Sequence, residues 1–350
     1  MLKAKKNTLL NIILPAIIGI ELVILVIKMS PTSPAEIWQN IKIVVTHSNN
    51  WMWILLSMLF GYLGEALRGI RWVLLIKPIG YNVKTLDCIN SVASGYMFNA
   101  GVPRSGEIAR CTLLNKVSKT PISYLFGHVL MERLIDFIIL GFCIFLCIVY
   151  KLNEISGVIN EIFPDSVYSF LSMNILFVFG GIIFLFFIMY KLGYKSLSNE
   201  KMNFFKSLFQ KVKAGFYAIK KVKKIKLFLV YTFSIWFCYF AMTYVCFFCF
   251  DSMSEFTIMD GIFIMTLGGI GMVMPTPSGM GSYHIAAMIG LGMLTSGSGF
   301  TTNIFTTPPH PDQLTFAFLV HTAQTIMILA MGFLGLILLN AKSGYNAKLN

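Results

Sequence analysis

Charged side chains are scarce in this chain of 350 residues. Asp, Glu, Lys and Arg make up only 12% of it, whereas 56% of the residues are hydrophobic. Its mean hydropathy is +0.74. Soluble globular domains carry about 25% charged residues, so this composition excludes an ordinary soluble domain.

The strand-like alternation of apolar and polar residues that marks a membrane barrel is also lacking. Apolar runs long enough to cross about 30 Å of hydrocarbon recur instead along the whole chain. We therefore expect an all-α polytopic membrane protein.

Sequence motifs of catalysis and metal binding are missing too. There is no HExxH, no GxSxG and no Gly-rich phosphate loop followed by Lys and Ser or Thr. None of the seven cysteines belongs to a CxxC pair matched by a second Cys or His pair. We expect no cofactor, no metal ion, no catalytic residue and no direct ATP coupling within this chain. An acid–base pair such as His128 with Glu132 stays open as an alternative.

Negative charge is the scarcer sign, with 15 acidic against 28 basic side chains and a net charge of +13. The lysines lie mainly in loops between apolar runs, where membrane orientation and anionic headgroups account for them. We therefore expect anionic inner-leaflet lipids, and no nucleic acid, as partners of this charge.

Six apolar runs are predicted to span the membrane. They comprise residues 9–27, 51–76, 121–149, 168–191, 227–250 and 313–340. Lysines precede the first run, as in a signal peptide, but no cleavage site follows it, so we expect an uncleaved first span.

Two further apolar segments, residues 86–119 and 259–296, are interrupted by Gly and Pro. Such breaks free backbone polar groups, which hydrocarbon tolerates only where protein or a water-filled cavity satisfies them. We expect both segments to be re-entrant helical hairpins, with kinked helices as the alternative. If both hairpins return to their own side, 20 of the 23 lysines fall on one face. That face is then cytoplasmic, in the cell inner membrane, with both termini inside.

The order span, span, hairpin, span occurs in residues 9–149 and again, from the opposite side, in residues 168–340. This order predicts an inverted-topology repeat within one membrane domain, residues 1–350. Transporters of this plan bind substrate where the broken elements meet. The basic linker between the halves, residues 192–226, fits either an amphipathic helix on the inner leaflet or a solvated loop.

Arginine is confined to one region of the chain, between residues 65 and 136. The arginines are Arg68, Arg71, Arg104, Arg110 and Arg133, and four of the acidic residues of this region accompany them: Glu65, Glu107, Glu132 and Asp136. Arginine grips phosphate or carboxylate with a planar fork of donors, so an intramembrane group of arginines predicts oxyanion recognition. These nine residues sum to a charge of +1.

Each charge near the membrane centre costs about 2.5–3.5 kcal/mol, so these groups must pair or face water. We expect Glu132 and Asp136 to pair with Arg133 and Arg71. Arg104 and Arg110 then contact a ligand and Glu107 orients them, beside a helix that starts after the break. A salt-bridge network without a ligand is the alternative.

The predicted substrate-binding residues are this charged group, one nearby Asn and the second interruption. They comprise Glu65, Arg68, Arg71, Asn99, Arg104, Glu107, Arg110, Glu132, Arg133, Asp136, Pro275, Pro277, Ser278, Gly279, Gly281 and His284. His321 and Gln324 lie about one turn apart in the last span and fit either the same cavity or a contact between helices. His128 fits a core position.

Four motifs together resemble a known family. They are Glu65-x-x-Arg68-x-x-Arg71, Asn99-x-x-x-Pro103-Arg104-x-Gly106-Glu107-x-x-Arg110, Glu132-Arg133-x-x-Asp136 and the segment Pro275–Gly281. The combination is similar to the lysylphosphatidylglycerol synthase transmembrane region, the flippase-like domain, over nearly the whole chain. The resemblance implies an integral membrane protein that moves a lipid between leaflets. Members often carry a fused aminoacyltransferase, for which this chain has no room, so synthesis of that lipid is not expected.

The sequence departs from the family pattern at two places. A residue usual between Pro103 and Arg104 is missing, and the usual Pro-Gly-Gly-x-Gly followed by Glu is replaced by a segment with Ser278 and His284. These changes favour a lipid other than lysyl-phosphatidylglycerol.

We therefore expect a flippase for an anionic or phosphate-bearing amphipathic lipid: a phospholipid, a glycolipid or a polyprenyl-phosphate-linked lipid. The alternative is a membrane enzyme or accessory subunit that acts on a lipid-linked sugar or phosphate. A lipid-modifying enzyme and a second copy of the chain stay open as partners.

Overall fold

A computed structural model describes residues 2–29, 33–47, 49–151, 224–295 and 311–349, and within these ranges the chain is helical with no strand. The described residues form ten α-helices, α1 to α10 in chain order. They are α1 Leu2–Met29, α2 Pro34–Thr46, α3 Asn50–Ile76, α4 Thr85–Gly101, α5 Gly106–Ser118, α6 Ile122–Tyr150, α7 Ile225–Tyr244, α8 Ile258–Val273, α9 Ser282–Thr295 and α10 Pro311–Leu349.

Four segments are long and apolar enough to cross a membrane. They are Asn50–Ile79, Ile122–Tyr150, Ile225–Cys249 and Pro311–Gly344, and they contain α3, α6, α7 and α10. All four agree with predicted spans, so the chain is an all-α polytopic membrane protein. The first predicted span lies within α1, whereas the span 168–191 and linker residues 192–223 lie outside the described residues. The total of six spans thus stays a prediction.

Helix α2 was not predicted from the sequence. The Ser33 hydroxyl accepts a hydrogen bond from the Glu36 N–H at 3.3 Å, and the Glu36 carboxylate accepts one from the Ser33 N–H at 2.7 Å. This reciprocal cap, together with Pro34 in the first turn, is a recognisable helix start. Ile37 packs inward while Trp38 is exposed, so the helix lies along the surface of the bundle.

The first interrupted segment is a helical hairpin formed by α4 and α5, which we call the first hairpin. Its two arms cross closely, because a Cβ added to Gly106 would lie 2.1 Å from the Gly95 carbonyl oxygen. The Asn99 side-chain oxygen accepts a hydrogen bond from the Gly106 N–H at 2.7 Å and so caps α5. Arg104 has a left-handed backbone, with φ of 61°, in the turn between the arms.

The second interrupted segment, the second hairpin, consists of α8 and α9. Its tip, residues 274–281, contains a short 3₁₀ turn at Pro277–Gly279. Three residues there have left-handed φ angles: Ser278 at 46°, Gly279 at 73° and Gly281 at 79°. Gly281 also lies directly on α1, where a Cβ would come within 2.4 Å of the Leu22 Cβ. The break predicted at residues 274–281 is thus confirmed.

The most extensive packing joins helices from the two predicted halves of the chain. Helix α10 packs along α4, and α7 packs along α3. Close approach of α10 to α4 needs glycine, since a Cβ at Gly332 would lie 2.4 Å from the Met97 Cβ and one at Gly335 would lie 2.8 Å from the Asn90 carbonyl oxygen. An ion pair between Lys342 and Asp87 closes one end of this contact.

Candidate functional site: a buried arginine–carboxylate cluster

Helices α3, α5 and α6 bring charged side chains together inside the bundle. Arg68, Arg71, Arg110 and Glu132 are each at most 4% exposed. They lie beside a buried apolar cluster that contains Trp72 and joins α3 through α7. The charged side chains are therefore buried in the same interior as the apolar core.

Arg68 is the residue with the most polar contacts in the cluster. Its Nη1 lies 2.8 Å from Asp136 Oδ2 and 3.9 Å from Glu132 Oε2. Its Nη2 donates a hydrogen bond to the Tyr239 hydroxyl on α7 at 2.9 Å. Arg68 thereby ties α3 to both α6 and α7.

Arg110 and Arg133 each pair with one carboxylate. Arg110 Nη2 donates to Glu132 Oε2 at 3.0 Å, and its guanidinium lies 4.9 Å from the centroid of the Trp72 ring. Arg133 Nη2 donates to Glu107 Oε1 at 2.6 Å. These two pairs connect the first hairpin to α6.

Arg71 has no carboxylate within 4 Å among the described residues. Its Nη1 donates to the Thr232 hydroxyl at 2.8 Å, and the guanidinium lies 5.3 Å from the centroid of the Phe228 ring. Its Nε and Nη2 atoms are buried without a hydrogen-bond partner in the described chain. A buried guanidinium with unsatisfied donors is costly.

The ion pairs predicted from the sequence, Glu132 and Asp136 with Arg133 and Arg71, are wrong. Both carboxylates pair with Arg68, Glu132 pairs also with Arg110, and Arg133 pairs with Glu107. Helical periodicity is the reason. Glu132 and Asp136 lie one turn apart on the same face of α6, while Arg133 is rotated by about 100° towards the first hairpin.

Two other residues of the charged group, Arg104 and Glu65, take no part in the ion pairs described above. Arg104 is exposed at the turn of the first hairpin, where its Nη2 donates to the Val273 carbonyl oxygen at 3.5 Å. It thus contacts the second hairpin and not the cluster. Glu65 is buried on α3, and its Oε2 has no partner in the described chain, although Arg68 follows three residues later.

A narrow cleft, partly open to solvent and with room for about one water molecule, lies beside the cluster between the first hairpin and α6. Its lining comprises Val92, Gly95, Tyr96, Asn99, Gly106, Glu107, Arg110 and Arg133. Arg110 Nε and Glu107 Oε2 are buried there without hydrogen-bond partners in the described chain. The cleft therefore offers guanidinium donors for an oxyanion and a carboxylate oxygen for a donor group of a ligand.

The predicted residues of the second hairpin do not line this cleft. Pro277, Gly279, Gly281 and His284 are buried around the tip, and Pro275 is exposed. Ser278, which is half-buried, accepts a hydrogen bond through its carbonyl oxygen from His321 Nε2 at 3.0 Å. The structure places this group against α1, α10 and the α4 arm of the first hairpin.

The remaining polar residues singled out from the sequence lie within the helix packing. Gln324 Nε2 donates to the Ser57 carbonyl oxygen at 3.1 Å and to its hydroxyl at 2.9 Å, which is a contact between helices. His128 is buried on α6. Among the described residues, no three His, Cys, Asp or Glu side chains converge as a metal site would require.

Sequence reasoning missed the aromatic and hydroxyl partners of the arginines. These are Trp72, Phe228, Thr232 and Tyr239, and Tyr96 lines the cleft beside Arg110 and Arg133. Tyr96 carried a signal, because it lies one turn before Asn99 on the same face of α4. Tyr239 and Thr232 lie in an apolar span whose sequence does not distinguish a buried partner from a lipid-facing residue.

These features define a helical membrane protein with a buried arginine–carboxylate cluster beside a helical hairpin. The chain belongs to the family of the lysylphosphatidylglycerol synthase TM region, whose model matches residues 12–332. It is therefore a lipid-related membrane protein. Comparison with curated proteins and with solved structures found no match.

Proposed function

We propose that this protein moves an anionic or phosphate-bearing amphipathic lipid from one leaflet to the other. The headgroup enters between the first hairpin and α6, which separate to admit it at the narrow cleft, and the apolar tails stay in the bilayer. The observation that carries the proposal is the pair Arg110 and Arg133 in one cleft, with a buried guanidinium N–H of Arg110 lacking a partner in the described chain.

The electrostatics of the cleft suit a phosphate. Arg133 is 37% exposed at its side chain, so a headgroup can reach it, whereas Arg110 lies deeper at 5%. A phosphate that reaches Arg110 gains charge-assisted hydrogen bonds in a site largely free of water. Glu107 Oε2 then accepts a hydrogen bond from a hydroxyl or amine of the same headgroup.

The outer surface of α6 suits the tails. Phe137, Ile138 and Phe142 are all more than half exposed. Phe137 lies one turn after Arg133, so both occupy the same side of the helix. A lipid whose phosphate is at Arg133 can therefore lay its acyl chains along this apolar face without leaving the bilayer.

The proposal also covers how the chain is arranged in the membrane. The two hairpins enter the membrane from opposite sides as parts of an inverted repeat, in the cell inner membrane, with both termini cytoplasmic. Contact between Arg104 in the turn of the first hairpin and the Val273 carbonyl oxygen at the start of the second hairpin's break supports this arrangement. Broken elements that meet inside the bundle are where transporters of this plan bind their substrates.

Headgroup translocation in reconstituted liposomes tests the proposal. We expect Arg133→Gln and Arg110→Gln each to slow translocation of a fluorescent phosphatidylglycerol by roughly tenfold or more, because a hydrogen bond to a charged group contributes about 1.5–3 kcal/mol. Lys116→Gln removes the same charge from an exposed position on α5 and is the matched control. Arg133 is partly exposed, so its variant tests the site even if Arg110→Gln does not fold. Equal rates for Arg133→Gln and the control would refute the site.

Transport without covalent chemistry is part of the proposal. Purified protein incubated with a radiolabelled lipid should return that lipid unchanged, in an assay that follows both leaflet and chemical identity. A new covalent product formed by the protein alone would favour the membrane enzyme that acts on a lipid-linked sugar or phosphate.

A further inference from the structure

Two histidines from different helices hold the tip of the second hairpin. His284 Nδ1 on α9 accepts a hydrogen bond from the Gly281 N–H at 3.3 Å. His321 Nε2 on α10 lies 3.0 Å from the Ser278 carbonyl oxygen. Because a carbonyl oxygen only accepts, this His321 nitrogen carries the proton. The two ring centroids are 4.6 Å apart.

The tip has little room to adjust between these histidines and α1. A Cβ on Gly281 would lie 2.4 Å from the Leu22 Cβ and 2.8 Å from the Gly19 carbonyl oxygen. Gly19 in turn packs on the Pro277 ring, because a Cβ added to Gly19 would lie 3.3 Å from the Pro277 Cδ. A change in the hydrogen bonding of either histidine therefore acts on a backbone that is packed on its other side.

We propose that His284 and His321 form a proton-binding site that releases the tip of the second hairpin when it is loaded. This inference rests on the proposed function and deepens it, because it makes the proton the coupling ion of lipid transport. The ligand is a proton taken from water by an imidazole lone pair.

The two histidines respond differently to that proton. Neutral His284 uses the lone pair of Nδ1 to accept from Gly281, and an imidazolium has no such acceptor. In protonated His284, the Nδ1–H would point at the Gly281 N–H. Both groups are donors, so the hydrogen bond between His284 and Gly281 breaks. His321 already donates to Ser278 and keeps that bond when it is protonated. Two positive charges this close repel each other, so the pair binds one proton at a time.

The immediate surroundings of the pair are aromatic. The Phe318 ring centroid lies 4.4 Å from that of His284, and the Tyr283 centroid lies 5.7 Å from that of His321. The Tyr283 hydroxyl is buried without a partner in the described chain. Tyr283 is the nearest other titratable group on α9.

The charged groups on the neighbouring helices are exposed, have other partners or lie further along their helices. Glu21 on α1 and Lys42 on α2 are exposed. Asp260 lies at the opposite end of α8, where it accepts from Tyr150 at 3.1 Å. Arg104 reaches Val273, at the start of the break. Glu65 on α3 lies one turn after Gly61, the glycine that packs on Gln324. Helices α4 and α5 also pack on α10. Asp87 on α4 pairs with Lys342 at the base of the first hairpin, and Glu107 and Arg110 on α5 pair with residues of α6. The two histidines therefore respond mainly to their own protonation.

Hydrogen exchange in lipid nanodiscs tests the site without any transport assay. Between about pH 8 and pH 5, the range in which histidine titrates, we expect the amides of the tip to lose protection in the wild type, after correction for chemical exchange. The loss should be roughly tenfold for each pH unit below the ordinary histidine pKa of about 6.5, because the open tip binds the proton and the closed tip disfavours it. His284→Asn places its side-chain oxygen where Nδ1 accepts from Gly281 but cannot be protonated, so its tip should stay protected. His47→Gln, at the exposed end of α2, should behave like the wild type.

Protection that does not change with pH in the wild type would overturn the proton site. An unchanged pH response in the double variant His284→Asn with His321→Gln would overturn it as well, because the titrating group would then lie elsewhere.

Translocation in liposomes with and without a pH gradient tests the coupling. We expect the gradient to raise the wild-type rate and to leave the rate of the double variant unchanged. A wild-type rate that does not respond to the gradient would refute proton coupling. If neither the wild type nor the double variant moves lipid while the wild-type tip still responds to pH, the proposed function fails and the proton site stands.

Discussion

Replacing Glu132 with Gln should markedly lower the free energy of unfolding. Glu132 is 0% exposed, and its Oε2 lies 3.0 Å from Arg110 and 3.9 Å from Arg68. Gln keeps the shape but removes the charge, so Arg110 loses the only ion-pair partner it has within 4 Å in the described chain. Removing one partner of a buried pair costs about 3–5 kcal/mol. Arg68 keeps Asp136 at 2.8 Å, so we expect a loss near the lower bound.

The reverse substitution, Arg110→Gln, should cost less. Glu132 then keeps Arg68, and the loss is mainly one charge-assisted hydrogen bond, about 1.5–3 kcal/mol. The double variant should lose less than the sum of the two single losses, with a coupling energy of about 0.5–3 kcal/mol.

Reversible unfolding by SDS in mixed micelles measures these free energies. Glu255→Gln, an exposed carboxylate, is the control and should change stability by at most about 0.5 kcal/mol. A loss at Glu132 no larger than that of the control would refute a buried ion pair. So would losses at Glu132 and Arg110 that add within about 0.3–0.5 kcal/mol.

Two further changes test the packing of the first hairpin. Gly106→Ala places a Cβ 2.1 Å from the Gly95 oxygen, whereas Gly101→Ala meets nothing within 4 Å. In the same unfolding assay we expect the first to cost about 1–3 kcal/mol and the second to be near neutral, and equal losses would contradict the crossing. Asp87→Asn removes the ion pair with Lys342, whose side chain is 28% exposed, so the loss should be about 1 kcal/mol or less and should shrink in high salt. A larger loss that does not depend on salt would contradict this account.

The spans and breaks were predictable because each rests on a local property. An apolar run such as residues 121–149 must be helical in hydrocarbon, since only a helix satisfies its own backbone there. The breaks at Gly101 and at residues 274–281 follow from glycine and proline. Helix α2 was also within reach, because Ser33, Pro34 and Glu36 form a local start signal. Its 13 residues are too few to span a membrane, so hydropathy alone does not mark it.

The ion pairs were not predictable in the same way. Which guanidinium meets Asp136 depends on how α3 is rotated against α6, and on Tyr239 of α7 taking the second nitrogen of Arg68. That choice is made by packing between distant segments. Arg71, at the next turn of α3, meets a threonine instead of a carboxylate. Local sequence identifies the charged residues but not their partners.

The contact between α4 and α10 fixes how far the first hairpin reaches. Helix α4 has 17 residues, which at the rise of an α-helix is about 25 Å, some 5 Å less than the hydrocarbon thickness. Its base is tied to α10 by Asp87 and Lys342, and its middle is seated on Gly332 and Gly335. If the hairpin is re-entrant as proposed, with its base at one membrane surface and its arm upright, its turn passes the midplane and stops about 5 Å short of the far side. A headgroup carried to that turn would have only a few ångströms of hydrocarbon left to cross.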